Sequence, residues 1–273
     1  MSVANHSLLY DNALLPFFKK VQAYIPKGIT PNMITILNLL IVLGVFISKQ
    51  FYNPLVLMIT IFIYYFLDNL DGIYARESKQ TSNLGEILDH GNDIFIGILI
   101  FYMLFMLLNG ELDTYTKIIL ILIFFNTILF LLKDIYFHKI DYGFKYFSLD
   151  EALILLIFVP LLKYFNTSKQ KNKLFTNGLC IILILFSIYN SIDFIPQINT
   201  LADESKPIII TNLITTIVIM LVSYYLLAKN YSVIWPAFIY YLFVVYLIIN
   251  KQNNKNKNKL LIIFIRYKIN VFY

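Results

Sequence analysis

Apolar residues run along this chain in long continuous blocks separated by short polar stretches. A block of about 20 apolar residues is long enough to cross a bilayer as a helix. The blocks do not alternate with period two, which argues against a membrane β-barrel. The pattern predicts about eight spans, near residues 33–49, 51–67, 94–109, 117–133, 149–165, 174–192, 208–227 and 232–249. Ahead of them, residues 8–25 mix apolar and polar positions as an interfacial helix does. The breaker "PKGITPN" (26–32) separates that helix from the first span. After the last block, 250–258 is an Asn/Lys tract with the composition of a disordered segment. Residues 260–273 are too short to cross the hydrocarbon core and are expected to lie on the membrane surface or pack as a partial helix. The expected fold is therefore all-α, a polytopic transmembrane bundle. With no linker long enough to divide it, residues 1–273 are expected to form a single domain.

Composition agrees. Hydrophobic residues make up 59% of the 273 and charged residues 14%, an apolar share that a soluble domain rarely carries. The single cysteine, Cys180, allows no intrachain disulfide. The first twenty residues lack the features of a cleavable signal peptide, so the first span is expected to serve as its own insertion signal. The net charge of +6 comes largely from lysine clusters at 168–173 and 251–259. Such clusters read as solvated juxtamembrane anchors for anionic membrane lipid. No recognition motif accompanies them, which excludes nucleic acid as a partner.

Lysine bias also orients the chain. Lys19, Lys20 and Lys27 place the N-terminus in the cytosol, and the stretch 68–93 with it. Beyond residue 146 the rule conflicts with the span count, because Lys163, Lys169, Lys171 and Lys173 would fall outside.

Candidate chemistry concentrates in "DNLDGIYARESKQTSNLGEILDHGND", residues 68–93. Asp68 and Asp71 stand three apart where the second block ends, and Asp89 and Asp93 four apart where the third begins. Both spacings put a pair on one helix face. Two such faces turned together would gather four carboxylates, which repel unless cations bind them. Carboxylate oxygens suit Mg²⁺, Mn²⁺ or Ca²⁺ rather than Zn²⁺. Gly72, Ala75 and Gly85 leave room for a ligand, and Arg76 can grip a phosphate in two-pronged fashion. A pair of metal ions, an arginine and small residues together describe a diphosphate site. His90 could take a proton from an attacking hydroxyl, with Asp93 as the rival base. The plainer alternative for these charges is a set of interfacial ion pairs, and for His90 a loop hydrogen bond.

The run Asp68-x2-Asp71-Gly72-x2-Ala75-Arg76-x8-Gly85-x3-Asp89-x3-Asp93 resembles the signature of the CDP-alcohol phosphotransferases. The resemblance covers mainly residues 25–95. Within that family, "LDNLDG", "LGEILDHGND" and "ITPNMITILN" (29–38) look most like the eukaryotic choline/ethanolamine phosphotransferases. The resemblance implies transfer of phosphocholine or phosphoethanolamine from CDP-choline or CDP-ethanolamine to diacylglycerol, releasing CMP, with Mg²⁺ or Mn²⁺. It implies that Asp68, Asp71, Asp89 and Asp93 bind two metal ions. It implies that Asn32, Gly72, Ala75, Arg76, Gly85 and Glu86 belong to the donor site, and that His90 accepts the lipid hydroxyl's proton. Glu151, in "YFSLDEALILL", matches an acidic residue of the subgroup and joins His90 as a catalytic candidate. A homodimer in the endoplasmic reticulum or Golgi follows from the same resemblance, and the lysine bias turns its active site to the cytosol. The sequence departs from the subgroup at Ile73, Tyr74 and Glu77, where lysine, glutamine and arginine are usual.

Two other functions compete. A CDP-diacylglycerol-dependent phosphatidyltransferase, such as a phosphatidylinositol synthase, shares most of the signature, but Glu86 and His90 argue against it. A cation transporter would need ionisable residues inside the spans, whereas here they gather at one interface.

Overall fold

Proline and short polar residues decide where the helices begin. In the computed structural model, which describes residues 10–26, 28–137, 149–165, 168–200 and 205–251, a wide helical turn, Tyr10–Leu14, leads into α1, Leu15–Gln22. α2 covers Pro31–Ile47, with the Met33 amide donating to the Thr30 hydroxyl at 3.4 Å. α3 covers Pro54–Glu77 and is capped by Asn53, whose side chain accepts from the Leu55 amide at 3.0 Å. Proline suits the first helical position because its missing N–H would have no partner there. α4, Asn83–Asn109, starts where Ser82 accepts the Gly85 amide at 3.0 Å, and it stops at Gly110, whose φ of 82° suits glycine. The remaining helices are α5, Thr114–Phe137; α6, Leu149–Phe165; α7, Lys169–Asn199; α8, Lys206–Ala228; and α9, Ile234–Lys251. No strand occurs among the described residues.

Each expected span falls on one of α2 to α9. Among the described residues, five helices (α3, α4, α5, α8 and α9) are long and apolar enough to cross a membrane. α2 and residues 153–165 of α6 are shorter apolar helices. The chain is thus an integral membrane protein whose described residues form helices without strands.

The helix limits differ from the apolar blocks in an informative way. α3 runs on through Asp68 and Asp71 to Glu77, and α4 starts ten residues before Asp93. The acidic residues therefore sit well inside two helices, not at their ends. Apolarity marks what hydrocarbon tolerates, whereas the helix persists until its backbone is capped. On α3 that happens at Lys79, in the left-handed region with a φ of 58°, as the Gln80 amide closes onto the Ala75 carbonyl at 2.9 Å.

α4 forms the centre of the bundle: 67% of its apolar window is buried, against 22% for peripheral α8. Leu99, Met103, Leu104, Phe105 and Leu108 of α4 meet Leu57 of α3, Leu120 and Ile128 of α5, and Tyr240 and Val244 of α9 in one continuous core. Successive helices alternate in direction. The acidic end holds Asn212 of α8 donating to the Tyr136 hydroxyl of α5 at 3.0 Å. At the opposite end, Thr176 of α7 donates to Asn109 of α4 at 3.2 Å, and Lys117 of α5 to Asn230 after α8 at 3.1 Å. Lys163 also belongs to that opposite end, where its ammonium reaches the Leu108 carbonyl, 3.5 Å away, near the α4 C-terminus. Its charge there meets a helix C-terminus.

α1 packs beneath the acidic end of α3. Phe18 is buried against Leu70 and Ile73, with Leu14, Leu15, Val21, Ile25 and Phe66 around them. Phe17 and Tyr24 are exposed, as expected of an interfacial helix. The tract 252–273 lies outside the described residues.

Candidate active site

The α3–α4 hairpin and the first turns of α2 enclose a cavity of about 470 Å³. Its wall includes Asn32 and Thr35 from α2, Asp71, Gly72, Ala75 and Arg76 from α3, and Gly85, Glu86, Asp89 and His90 from α4. The connecting residues Gln80 to Asn83 form one rim. Every residue that the resemblance assigns to the donor site therefore lines one space. Both glycines are close to their limits. A Cβ on Gly72 would lie 3.3 Å from Nη1 of Arg76, and one on Gly85 would lie 3.1 Å from Asn32 Oδ1 and 3.2 Å from Ser82 Oγ.

Asp68, Asp89 and Asp93 each offer a carboxylate oxygen within 4.8 Å of the other two. The helical spacing brings Asp93 one turn beyond Asp89, while Asp68 reaches across from α3. Asp71 does not share that cluster but lines the cavity with Asp89. It is 3% exposed; Oδ2 accepts the Thr35 hydroxyl, and Oδ1 is buried without a hydrogen-bond partner. A buried carboxylate oxygen in that state is costly. An all-oxygen donor set with one oxygen unsatisfied fits a hard divalent cation. One turn below, Asn38 of α2 donates to the Tyr64 carbonyl of α3 at 3.2 Å and ties the two helices together.

The departures from the subgroup pattern face elsewhere. Ile73 is 1% exposed against Phe18 of α1. The Tyr74 hydroxyl donates to the Ile29 carbonyl at 3.1 Å, fixing the approach to α2. Glu77 pairs with Lys19 of α1 at 2.9 Å, an exposed contact. None of the three lines the cavity. Glu151 lies in the first turn of α6, a helix packed on α3; its side chain lies outside the described residues.

Sequence reasoning missed Thr35, Tyr74 and Lys251. Thr35 carried a usable signal, since it shares a helix face with Asn32 one turn away. Tyr74 read only as a mismatch. Lys251 was hidden in a lysine-rich run, yet its ammonium sits 3.0 Å from Glu86.

The family model described as CDP-alcohol phosphatidyltransferase matches residues 28–203, from just before α2 to just past α7. The chain belongs to this family. Among curated proteins, cholinephosphotransferase 1 of Rattus norvegicus is 36% identical over 103 residues, which cover 34% of this chain and 26% of that protein. Choline/ethanolaminephosphotransferase 2 of Arabidopsis thaliana is 30% identical over 103 residues, covering 34% and 26%. Ethanolaminephosphotransferase 1 of Homo sapiens is 30% identical over 95 residues, covering 29% and 24%. The similarity thus spans about a quarter of the length of these CDP-alcohol phosphotransferase relatives.

Proposed function

We propose that the protein transfers phosphocholine or phosphoethanolamine from CDP-choline or CDP-ethanolamine to diacylglycerol, forming phosphatidylcholine or phosphatidylethanolamine and releasing CMP. The observation that carries this reading is one cavity in which Arg76, Glu86, His90 and closely fitted glycines stand beside gathered carboxylates. Relatives that are named for choline and for ethanolamine substrates support it.

On this reading Asn32, Gly72, Ala75, Gly85 and Glu86 shape the donor pocket, and Arg76 holds a phosphate. Asp68, Asp71, Asp89 and Asp93 hold a pair of hard divalent ions, Mg²⁺ or Mn²⁺. Such ions, when bound, neutralise the diphosphate and the departing phosphate. His90 accepts the proton of the diacylglycerol hydroxyl as its oxygen bonds to the β-phosphorus. The phosphoanhydride bond breaks, and its electron pair leaves on CMP. Glu151 is a further acidic candidate, carried by resemblance alone. Residues 1–273 act as one domain, as a homodimer, with the cavity open to the cytosol at endoplasmic reticulum or Golgi membranes.

The test offers the purified full chain in lipid nanodiscs labelled CDP-choline, CDP-ethanolamine and CDP-diacylglycerol, each with Mg²⁺. Diacylglycerol is the acceptor for the first two and inositol for the third. Diacylglycerol-dependent CMP release from a CDP-alcohol is expected. Consumption of CDP-diacylglycerol alone would overturn the assignment in favour of a phosphatidylinositol-synthase type of enzyme.

A further inference from the structure

Lys251 ends α9 in a stretch whose composition suggests a solvated anchor, yet its side chain is only 6% exposed. A lysine ammonium seldom leaves water unless a partner receives it. Here Nζ lies 3.0 Å from Oε1 of Glu86, the carboxylate on the cavity wall one turn before His90. The partners stand 165 positions apart in sequence, so only the packed bundle brings them together. Two further contacts fix α9 against α4. The Tyr241 ring presses on Gly91, where a Cβ would come within 2.7 Å of it, and it meets Phe95 edge-on at 6.4 Å between centroids.

Electrostatics gives this pair a role. A cavity that takes a diphosphate must limit its own negative charge. The clustered carboxylates Asp68, Asp89 and Asp93 lie where cations can offset them. Glu86 stands outside that cluster but on the wall. Left unmatched in a partly desolvated cavity, it would repel the donor. We propose that Lys251 is a positioning residue of the donor site: its ammonium neutralises Glu86 and holds that carboxylate against α9, so that the wall of α4 admits an anionic diphosphate. Lys251 lies beyond residues 28–203, the reach of the family match. The inference rests on reading the cavity as a CDP-alcohol site.

The experiment measures CDP affinity in Mg²⁺, together with donor KM and kcat, for the full chain in nanodiscs. It compares the unaltered protein with Lys251→Met, Lys251→Arg and the double variant Glu86→Gln/Lys251→Met. Lys251→Met is expected to weaken CDP binding and raise donor KM roughly ten-fold, with kcat within about three-fold. Lys251→Arg should recover most of the loss. The double variant should bind CDP better than Lys251→Met, because the unmatched carboxylate is gone; a merely structural lysine would leave the double variant as weak or weaker. Unchanged CDP affinity in Lys251→Met, or a double variant no better than it, overturns the proposal. Should Lys251→Met fail to fold, Lys251→Gln and Glu86→Gln/Lys251→Gln take its place in the same comparison, with the same outcomes deciding. If the unaltered protein binds CDP but turns over neither CDP-alcohol, the assigned reaction fails while the CDP affinities still judge Lys251. If it binds no CDP at all, both fall.

Discussion

Replacing Thr35 by valine removes a hydroxyl at the heart of the candidate site that reaches Asp71 and also lies 3.2 Å from the Pro31 carbonyl of its own helix. The two side chains have nearly the same shape, so the change removes little except the hydroxyl that Asp71 Oδ2 accepts. With Oδ1 already unpartnered, the variant leaves a carboxylate that is 3% exposed without a side-chain donor. A hydrogen bond to a charged group contributes about 1.5–3 kcal/mol, and about 1.4 kcal/mol is a factor of ten in an equilibrium constant. Thr35 and Asp71 both face the cavity, so water can replace part of what is lost. That argues for the lower end of the range. The half-saturating Mg²⁺ concentration for CMP release should rise roughly ten-fold, within the span seen when partners of metal ligands are removed. Thr35→Ser, which keeps the hydroxyl, should stay near the unaltered value. A Mg²⁺ titration in nanodiscs at saturating donor measures this. Identical titration curves for the valine, serine and unaltered proteins would refute the idea that Asp71 is prepared by Thr35 to meet a cation.

Other substitutions separate the remaining roles. Asp89→Asn removes the carboxylate shared by the cavity and the cluster, and it should abolish CMP release; a fully active purified variant excludes the metal-holding role. His90→Ala should depress kcat sharply while CDP affinity is kept, and an unchanged kcat would move the proton acceptor elsewhere, with Asp93 next in line. Tyr74→Phe loses the contact to the Ile29 carbonyl and should lower stability by about 1 kcal/mol, read as an earlier thermal transition. It should leave the choline-to-ethanolamine preference intact, since Tyr74 does not line the cavity; a changed preference would contradict that.

The all-helical membrane bundle was legible because hydrocarbon imposes a single requirement, a long apolar helix, and the blocks meet it. Much of the lining of the candidate cavity was legible because it lies within one short stretch. Asp68, Asp71, Asp89 and Asp93 follow helical spacing, and a tight turn returns α4 alongside α3. Helix limits were harder to place, since hydropathy does not record the cap at Ser82 or the left-handed Lys79. Long-range partners were invisible. Lys251 read as one lysine among many, and only the packing of α9 on α4, with Tyr241 on Gly91, brings it to Glu86. The contact of Lys163 with the Leu108 carbonyl was equally hidden, 55 positions away in sequence. Ile73, Tyr74 and Glu77 looked like losses from the subgroup pattern, but Ile73 is buried against α1, Tyr74 holds the approach to α2, and Glu77 makes an exposed pair with Lys19.

The first turns of both α2 and α4 border the cavity, through Pro31 and Asn32 on one side and Ser82, Asn83 and Gly85 on the other. Each helix start carries about half a positive charge from its aligned peptide dipoles. Two such starts facing one space supply an attraction for anions that belongs to the main chain, and no side-chain substitution that preserves the helices can erase it. If Arg76 holds a phosphate as proposed, neutralising it would therefore cost this pocket its grip and its aim, but not its appetite for an anion.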